Sequence, residues 1–384
     1  MNLLLEILGG VLFVYTLFWT CYDFLLGVAA LFFKSNAIGN QNTSKNFIIV
    51  IPAYREGPVL LETVEEALKV DYPTDRFQIV VLAQDLTEET LGQLSQFEIE
   101  IVITGGLGSK LNALKNWITD KEFQKDDTVF ILDADNTIAP NALRVASALL
   151  AEHDVIQLER KKTEATTPLG ILDRWNTYIG LALSNDSRMV LGLNTFILGS
   201  GFAVNGRLYQ RFVLNAESTI AEDKALDLFL AKDNRSVVFS KRSYVQDSTI
   251  ERSNAFSDQR ARWVGGKIEA RKNSRRMLLT DLTRIEYWDK AIHYTAPQRS
   301  ILIPLVILGL VLNSFLASSR LLIPFTLLPI VLVCATILMV TPRSMYGVNL
   351  LKAFVALPFS VYSIVRARLL AKNTVTEDFK VTPK

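Results

Sequence analysis

The chain has 384 residues, which is enough for a catalytic domain together with membrane helices. Its 41 basic and 39 acidic side chains nearly cancel, so the charge argues against a nucleic-acid-binding protein. Two cysteines and two histidines are too few for a disulfide framework and argue against a zinc site. Any metal site must therefore use acidic residues, and such a site favours Mg²⁺ or Mn²⁺.

Apolar residues are concentrated at the two ends of the chain, and the first run extends from Leu3 to Phe33. Because about 20 apolar residues cross a bilayer, residues 1–35 are predicted to form an N-terminal transmembrane helix. The run is too long for a cleaved signal peptide, and no basic residue precedes it. Lys34 and Lys45 follow it, so we expect an integral protein of the plasma (inner) membrane with its catalytic region in the cytoplasm.

In the middle of the chain, short apolar runs alternate with helical patterns. The predicted strands are Asn46–Ala53, Phe77–Ala83, Ile99–Ile103 and Thr128–Leu132, and the predicted helices are Glu62–Val70, Glu88–Phe97 and Lys110–Trp117. This alternation predicts an α/β fold with a doubly wound sheet. Ligands of such sheets bind beyond the carboxyl ends of the strands. Tyr54, Asp85 and Asp133 all lie at such ends, which places them on one rim.

Asp133 and Asp135 form an acidic pair at the end of the last of these strands. Carboxylates two residues apart at a strand end can share one hard cation, and the cation can neutralise a leaving diphosphate. The sequence Asp-Ala-Asp-Asn is also typical of a turn. The residues alone leave both interpretations open.

Glu222 and Asp223 are a second acidic pair, which opens a predicted helix. One of these carboxylates could cap the helix and interact with its dipole. The functional alternative is that Asp223 acts as a general base and removes a proton from an acceptor hydroxyl.

Two further motifs can contact a substrate. Gly199 and Ser200 permit a close approach of the backbone, although a plain turn is the better explanation from these residues alone. Gln259, Arg262 and Trp263 share one face of a predicted helix. The arginine can bind phosphate oxygens and the indole can stack on a sugar ring. An amphipathic helix rich in arginine is the alternative.

The C-terminal part of the chain contains three predicted membrane segments. Residues 299–341 are predicted to form two transmembrane helices, preceded by an interfacial helix region at residues 276–298. Residues 345–372 carry Lys352 and Arg366 near the ends of an apolar run, which favours an interfacial or re-entrant helix. A further full span is the alternative for this segment.

Between about Phe47 and Lys272, the order and spacing of the motifs resemble the family 2 inverting glycosyltransferases of the membrane-embedded type, which include cellulose, chitin and hyaluronan synthases. The resemblance implies a GT-A type glycosyltransferase domain over residues 45–275. Arg55 stands where the family has asparagine, and in the motif around Asp85 the family's aspartate is either displaced by one residue or replaced by Gln84. The donor-side residues that the resemblance implies are Pro52, Tyr54 and Glu56 in the uridine pocket, Asp85 at the base, Lys110, and Asp133 and Asp135 at the metal.

On the acceptor side, the resemblance implies that Gly199 and Ser200 lie beside the acceptor. It also implies that Asp223 is the catalytic base, with Glu222 next to it. The family signature Gln-x-x-Arg-Trp is matched in full by Gln259, Arg262 and Trp263. Arg262 is then expected to steady the leaving diphosphate, and Trp263 to hold the acceptor ring.

The C-terminal tail, residues 373–384, resembles the gating loop of cellulose synthase, which covers bound nucleotide. The matching residues are Phe379, Thr382 and Lys384. The alternative for so short a motif is a frayed tail.

Together these features predict a metal-dependent, inverting hexosyl- or N-acetylhexosaminyltransferase that uses a UDP-sugar donor. A growing polysaccharide is the expected acceptor, and transfer of a single sugar to a membrane lipid is the alternative. Three or four helices form a thin channel wall, so a polymerase that secretes its product would need an export partner or a homo-oligomer. A scaffold without catalytic activity is the competing class, but this chain retains both acidic pairs.

Overall fold

The computed structural model describes residues 2–34, 45–105, 109–219, 221–250, 253–316 and 326–370. Within these ranges, an α/β unit is joined to apolar helices at both ends of the chain. The strands are β1 (Asn46–Tyr54), β2 (Phe77–Gln84), β3 (Glu100–Ile103), β4 (Asp127–Ile131), β5 (Asn136–Ile138), β6 (Val155–Lys162), β7 (Phe202–Asn205) and β8 (Val237–Asp247). The helices are α1 (Asn2–Leu31), α2 (Pro58–Leu68), α3 (Glu88–Leu94), α4 (Lys110–Ile118), α5 (Ala142–Leu149), α6 (Pro168–Leu181), α7 (Ser187–Leu191), α8 (Gly206–Asn215), α9 (Glu222–Lys232), α10 (Ser253–Thr280), α11 (Ile285–Thr295), α12 (Arg299–Leu316), α13 (Leu328–Val340) and α14 (Val348–Leu370).

Strand β1 lies inside the sheet and shows why its sequence is apolar without alternation. Ile49 and Ile51 pack into the core on one face of the sheet, and Ile48 and Val50 pack into the core on the other. A strand that is covered on both faces buries every side chain, and each fully buried side chain of this size contributes roughly 1.5–3 kcal/mol. The apolar run therefore specifies a central strand with helices on both sides.

The sheet is mixed, with the strand order β3-β2-β1-β4-β7-β6-β8-β5. Strands β3, β2, β1 and β4 are parallel, whereas β7 is antiparallel to both β4 and β6. Strands β6 and β8 are parallel, and β5 closes the far edge antiparallel to β8. The predicted α/β class is confirmed. Its doubly wound character is confined to the parallel strands, and the second half of the sheet is mixed.

Two described helices are long and apolar enough to cross a bilayer, α1 over Leu5–Leu31 and α14 over Val348–Arg366. A third span results if α11 and α12, which meet at 71°, are taken together, and α13 is a shorter apolar helix. Trp19 of α1 packs with Leu302 and Val306 of α12. The apolar ends of the chain therefore form one packed group of helices.

A buried arginine links α1 to the α/β unit. Arg188 of α7 donates hydrogen bonds to the Tyr22 hydroxyl at 2.7 Å and to Asp289 Oδ1 at 2.9 Å. A five-residue π turn, Ala182–Asp186, lies between α6 and α7, and Gly192 ends α7 in the left-handed region at φ 68°. Because Tyr22 belongs to α1 and Asp289 to α11, one side chain ties two peripheral helices to the domain.

Candidate active site

Lys110 is the centre of the site, because three groups converge on its ammonium. The Nζ atom donates to Asp133 Oδ1 at 2.8 Å and to the Gly199 carbonyl at 2.9 Å, and it forms a salt bridge with Glu222 Oε1 at 3.0 Å. Burial by itself lowers the pKa of Lys110, but the carboxylates of Asp133 and Glu222 outweigh burial and raise it. Lys110 therefore stays protonated and joins β4, the loop before β7 and the start of α9.

Asp133 begins a tight turn, so the turn interpretation is correct and compatible with a site. The Asn136 amide donates to the Asp133 carbonyl at 3.0 Å. The buried hydroxyl of Ser200 accepts hydrogen bonds from the Asp133 amide at 3.0 Å and from Asn136 Nδ2 at 2.8 Å. The Ser200 hydroxyl thus stabilises the acidic turn by two hydrogen bonds. Contact between this hydroxyl and a substrate stays a prediction.

Asp133 and Asp135 are the residues that could hold a divalent cation. Both are partly exposed at the rim, and their hard oxygen donors suit Mg²⁺ or Mn²⁺. In the described part of the chain, no cluster of three or more His, Cys, Asp and Glu side chains is arranged for a metal. Two carboxylates nevertheless suffice for a cation whose other ligands are water and substrate phosphate, so the residues present fit this ion.

Asp223 faces the glycine loop. Gly199 has φ 84°, and a Cβ placed on it would lie 3.8 Å from Asp223 Oδ2. The carboxylate is also 3.1 Å from Nζ of Lys224. The residue that caps α9 is Ala221, and no side chain makes the capping hydrogen bond. Glu222 and Asp223 therefore occupy the first turn of α9, with Glu222 bound to Lys110 and Asp223 directed at the loop.

The carboxyl ends of β1 and β2 carry the predicted nucleotide-binding residues. Tyr54 is paired with Gln84, so the next residues, Arg55 and Asp85, are neighbours and form a salt bridge of 3.1 Å. Both have positive φ, 55° and 50°, which is uncommon outside glycine. The predicted residues Pro52 and Glu56 flank this strand end and are partly exposed. Two opposite charges therefore lie next to each other on the rim, at residues with an unusual backbone conformation.

Helix α10 carries the Gln-x-x-Arg-Trp motif and packs on the start of α9. A Cβ on Gly266 would lie 2.5 Å from the Ala221 Cβ, so glycine is required for this contact. Trp263 is 37% exposed, while Gln259 and Arg262 are half-buried. The motif helix is therefore held directly against the residue that precedes Glu222.

Five charged residues near the site were not singled out from the sequence. Together with Asp133 they form what we call the charge chain, which runs from Asp133 to Arg260 with alternating sign. Its links are Asp133–Arg160 at 4.0 Å, Arg160–Asp247 at 2.7 Å, Asp247–Lys162 at 2.8 Å, Lys162–Asp173 at 3.2 Å and Asp173–Arg260 at 2.6 Å. Charged residues within the strand pattern of β6 were the signal that could have identified Arg160 and Lys162.

The predicted gating residues Phe379, Thr382 and Lys384 fall outside the described residues. A cleft of about 500 Å³ opens at the ends of the strands opposite the rim, between basic residues that include Lys45 and Arg235. Those two cations pair with Asp126 and Asp154, and no residue of the candidate site lines the cleft. The candidate active site is therefore the rim around Lys110.

Comparison with known proteins identifies related sequences and folds. The family model described as "Glycosyltransferase like family 2" matches residues 45–266. A curated relative, the beta-monoglucosyldiacylglycerol synthase of Synechocystis sp., is 24% identical over 235 residues. That match covers 57% of this chain and 47% of the relative, so the chain spans about half the length of that protein.

One solved structure shows the same fold. A mannosyltransferase from Pyrobaculum calidifontis, in complex with GDP-Man and Mn²⁺, has a TM-score of 0.65 at 14% identity, and the match covers 97% of this chain and all of the other. The sheet described above is thus a GT-A-like mixed sheet. TarS from S. aureus aligns with a TM-score of 0.42 at 15% identity, over 88% of this chain and 94% of the other.

Proposed function

The chain belongs to the family described as glycosyltransferase like family 2, and we propose that it is a membrane-bound, inverting enzyme which transfers one sugar from a nucleotide diphosphate sugar to a lipid acceptor. The observation that carries this proposal is the convergence at Lys110. One ammonium binds the metal-side carboxylate Asp133, the loop at Gly199 and the helix that bears Asp223. Donor and acceptor chemistry would therefore take place within one small region.

On the donor side, Asp133 and Asp135 would hold Mg²⁺ or Mn²⁺, which neutralises the negative charge of the leaving diphosphate when bound. Lys110 and Arg160 are both largely buried beside Asp133, at 12% and 19% side-chain exposure. Fixed cations in a partly dry site stabilise the charge that develops on the leaving group. Arg55 and Asp85 supply a donor and an acceptor for the base, and UDP is the nucleotide we expect.

On the acceptor side, Asp223 takes the proton from the acceptor hydroxyl as its oxygen forms the new bond to the anomeric carbon. The bond between that carbon and the diphosphate oxygen breaks on the opposite face, so the configuration inverts in one displacement. Gly199 has no side chain to block Asp223. Carboxylate bases of this kind contribute on the order of 10²–10⁴ in rate.

A lipid acceptor is favoured by the exposed apolar side chains at the C-terminal end of α10. This helix carries the exposed Trp263 ring and ends at a turn with exposed apolar side chains, among them Leu279 and Leu282. An acceptor headgroup in the bilayer surface would lie near such a turn. The curated relative, whose name is that of a synthase for a glucosylated diacylglycerol, supports the same class of acceptor.

A growing polysaccharide is the second candidate acceptor, because Gln259, Arg262 and Trp263 match the signature of the polymer synthases. The two candidates differ in product length. Purified protein in lipid nanodiscs is incubated with Mn²⁺, radiolabelled UDP-sugars or GDP-mannose, and extracted membrane lipids. A single chloroform-soluble glycolipid supports the proposal, a ladder or an insoluble polymer supports the second candidate, and no donor consumption with any nucleotide sugar contradicts both.

The stereochemical part of the proposal has its own test. The anomeric configuration of the product, determined by NMR, must be opposite to that of the donor. Retention of configuration would contradict a single displacement with Asp223 as base. The matched inactive control is Asp223→Asn, which keeps the size of the side chain but cannot accept the proton.

A further inference from the structure

The charge chain links the two halves of the candidate site through the interior of the domain. It starts at Asp133 on the donor side and ends at Arg260, which lies within the Gln-x-x-Arg-Trp motif of α10. Its inner members come from three elements: Asp247 from β8, Lys162 from β6 and Asp173 from α6.

The inner members are almost completely removed from solvent. The side chains of Asp247, Lys162 and Asp173 are 4%, 2% and 0% exposed. Buried ion pairs lose their hydration, and apolar replacements of similar shape often give equal or greater stability. Stability alone is therefore a poor reason for three charges here, whereas geometric specification is a role that such networks can have.

At its α10 end, the charge chain contacts an aromatic ring. The Cζ atom of Arg260 lies 4.4 Å from the centroid of the Trp263 ring and 4.5 Å from that of Phe256. Asp173 Oδ1 accepts a hydrogen bond of 2.6 Å from Nη2 of Arg260, and the rotation of the guanidinium is thereby restricted. A planar cation held in this way stacks on the indole and fixes its orientation.

We propose that Lys162 and Asp173 are positioning residues. Acting through Arg260, they fix the position of Trp263 relative to Asp133. This inference rests on the proposed glycosyl transfer, in which Trp263 carries the acceptor ring. Neither residue touches a substrate. Their loss should displace the acceptor while the donor site keeps its own contacts through Lys110 and Ser200.

Two variants test the proposal, each with a matched control on the surface. Asp173→Asn removes the charge that holds Arg260, and Arg260→Lys keeps a positive charge but removes the planar group. The controls are Asp71→Asn and Arg144→Lys, because Asp71 and Arg144 form an exposed pair of 2.8 Å far from the motif helix. In both test variants the acceptor KM should rise about tenfold to a hundredfold while the donor KM changes by less than about twofold.

A second measurement needs no turnover. The emission of Trp263 is obtained as the difference between each protein and its Trp263→Phe counterpart, and its quenching by iodide reports the exposure of the ring. Quenching should increase in Asp173→Asn and in Arg260→Lys and stay unchanged in both controls. If wild-type protein transfers no sugar, the proposed function fails, and this measurement still decides the positioning role.

The proposal is overturned if the quenching of Trp263 and the acceptor KM are both unchanged in the variants. Donor and acceptor KM that rise together would equally contradict it, because that pattern indicates a general loosening of the domain. Should Asp173→Asn not fold, as thermal unfolding would show, Arg260→Lys decides the outcome. The lysine variant leaves Asp173 paired, so it does not leave that carboxylate buried without a partner.

Discussion

Lys110 and Glu222 form a salt bridge of 3.0 Å, and this pair distinguishes the roles of two adjacent carboxylates. Glu222 is bound to a cation that also binds Asp133, whereas Asp223 is paired with the neighbouring Lys224 and faces Gly199. A carboxylate that stabilises the donor-side lysine is poorly placed to take a proton from the acceptor. The geometry therefore favours Asp223 as the base and gives Glu222 a supporting role.

Replacement of Asp223 by asparagine should lower kcat on the order of 10²–10⁴-fold, because asparagine cannot take the acceptor proton. Binding of UDP with Mn²⁺, measured by titration calorimetry, should change little. The comparison is Glu222→Gln, which weakens the hold on Lys110 and should affect donor affinity more than kcat. Equal losses of UDP binding and turnover in Asp223→Asn would speak against its role as base.

Lys110→Met should change the affinities for metal and nucleotide in opposite directions. Removal of the ammonium makes the site around Asp133 more negative, so Mn²⁺ should bind at least as tightly as before. The diphosphate loses an attractive charge, and UDP should bind about tenfold more weakly in the absence of metal. Calorimetry with each ligand alone measures both effects. A parallel loss of the two affinities would indicate that Lys110 serves mainly to hold the loop together.

The position of Asp133 and of the residues after β1 and β2 on one rim could be predicted from the sequence, whereas the contacts that connect this rim to the motif helix could not. Apolar runs located β1 and β4, and parallel strands end on one rim, so Asp133 could be placed on that rim from its position alone. The partners of the buried charges could not be placed in this way. Arg160 and Asp247 are 87 residues apart, as are Asp173 and Arg260. From the sequence alone, the charged residues of β6 indicate a strand exposed to solvent. In the fold they are covered, because β6 lies inside the mixed half of the sheet.

Asp227, one turn after Asp223 on α9, should make the stability of the domain depend on pH. Burial raises the pKa of its carboxyl to about 6, although Lys290 and hydrogen bonds from the Ile197 amide and the Tyr294 hydroxyl lower it. Because this pKa is raised in the folded state, the fold binds more protons than the unfolded chain between about pH 4 and pH 6. The contribution of Asp227 to the free energy of unfolding is therefore greatest below that window and falls by roughly 3 kcal/mol across it.

Asp227→Asn should remove this dependence, since the amide keeps an acceptor for the Ile197 amide and does not titrate. The difference in melting temperature between wild type and variant, measured from pH 4.5 to pH 7, should decrease as the pH rises. Asp71→Asn is the informative control, because the hydrogen bond from Arg144 lowers the pKa of Asp71 and its contribution has the opposite sign. A difference that is flat with pH would mean that Asp227 is charged in the fold.

The turn between α10 and α11 should lie in the surface of the bilayer. Leu279, Leu282, Ile285 and Trp288 follow one another at intervals of three residues, and each is at least 44% exposed. The opposite face of α11 is buried against the domain, so this apolar face has no protein to cover it in the described part of the chain. Side chains of this size gain roughly 1.5–3 kcal/mol each when they leave water, and α11 lies at 71° to α12, as expected for a helix in the interface.

In nanodiscs, brominated lipids should quench the emission of Trp288, taken as the difference from Trp288→Phe. The variant Ile285→Ser should lose much of this quenching and should use a lipid acceptor about tenfold less well, because loss of one buried side chain costs on the order of 1.5–3 kcal/mol. The matched control is Ile103→Ser on the edge strand β3, where the isoleucine is as exposed as Ile285 but belongs to the sheet. If Trp288 is not quenched in wild type, or if both serine variants behave alike, the apolar face does not contact lipid and the acceptor must reach Trp263 by another path.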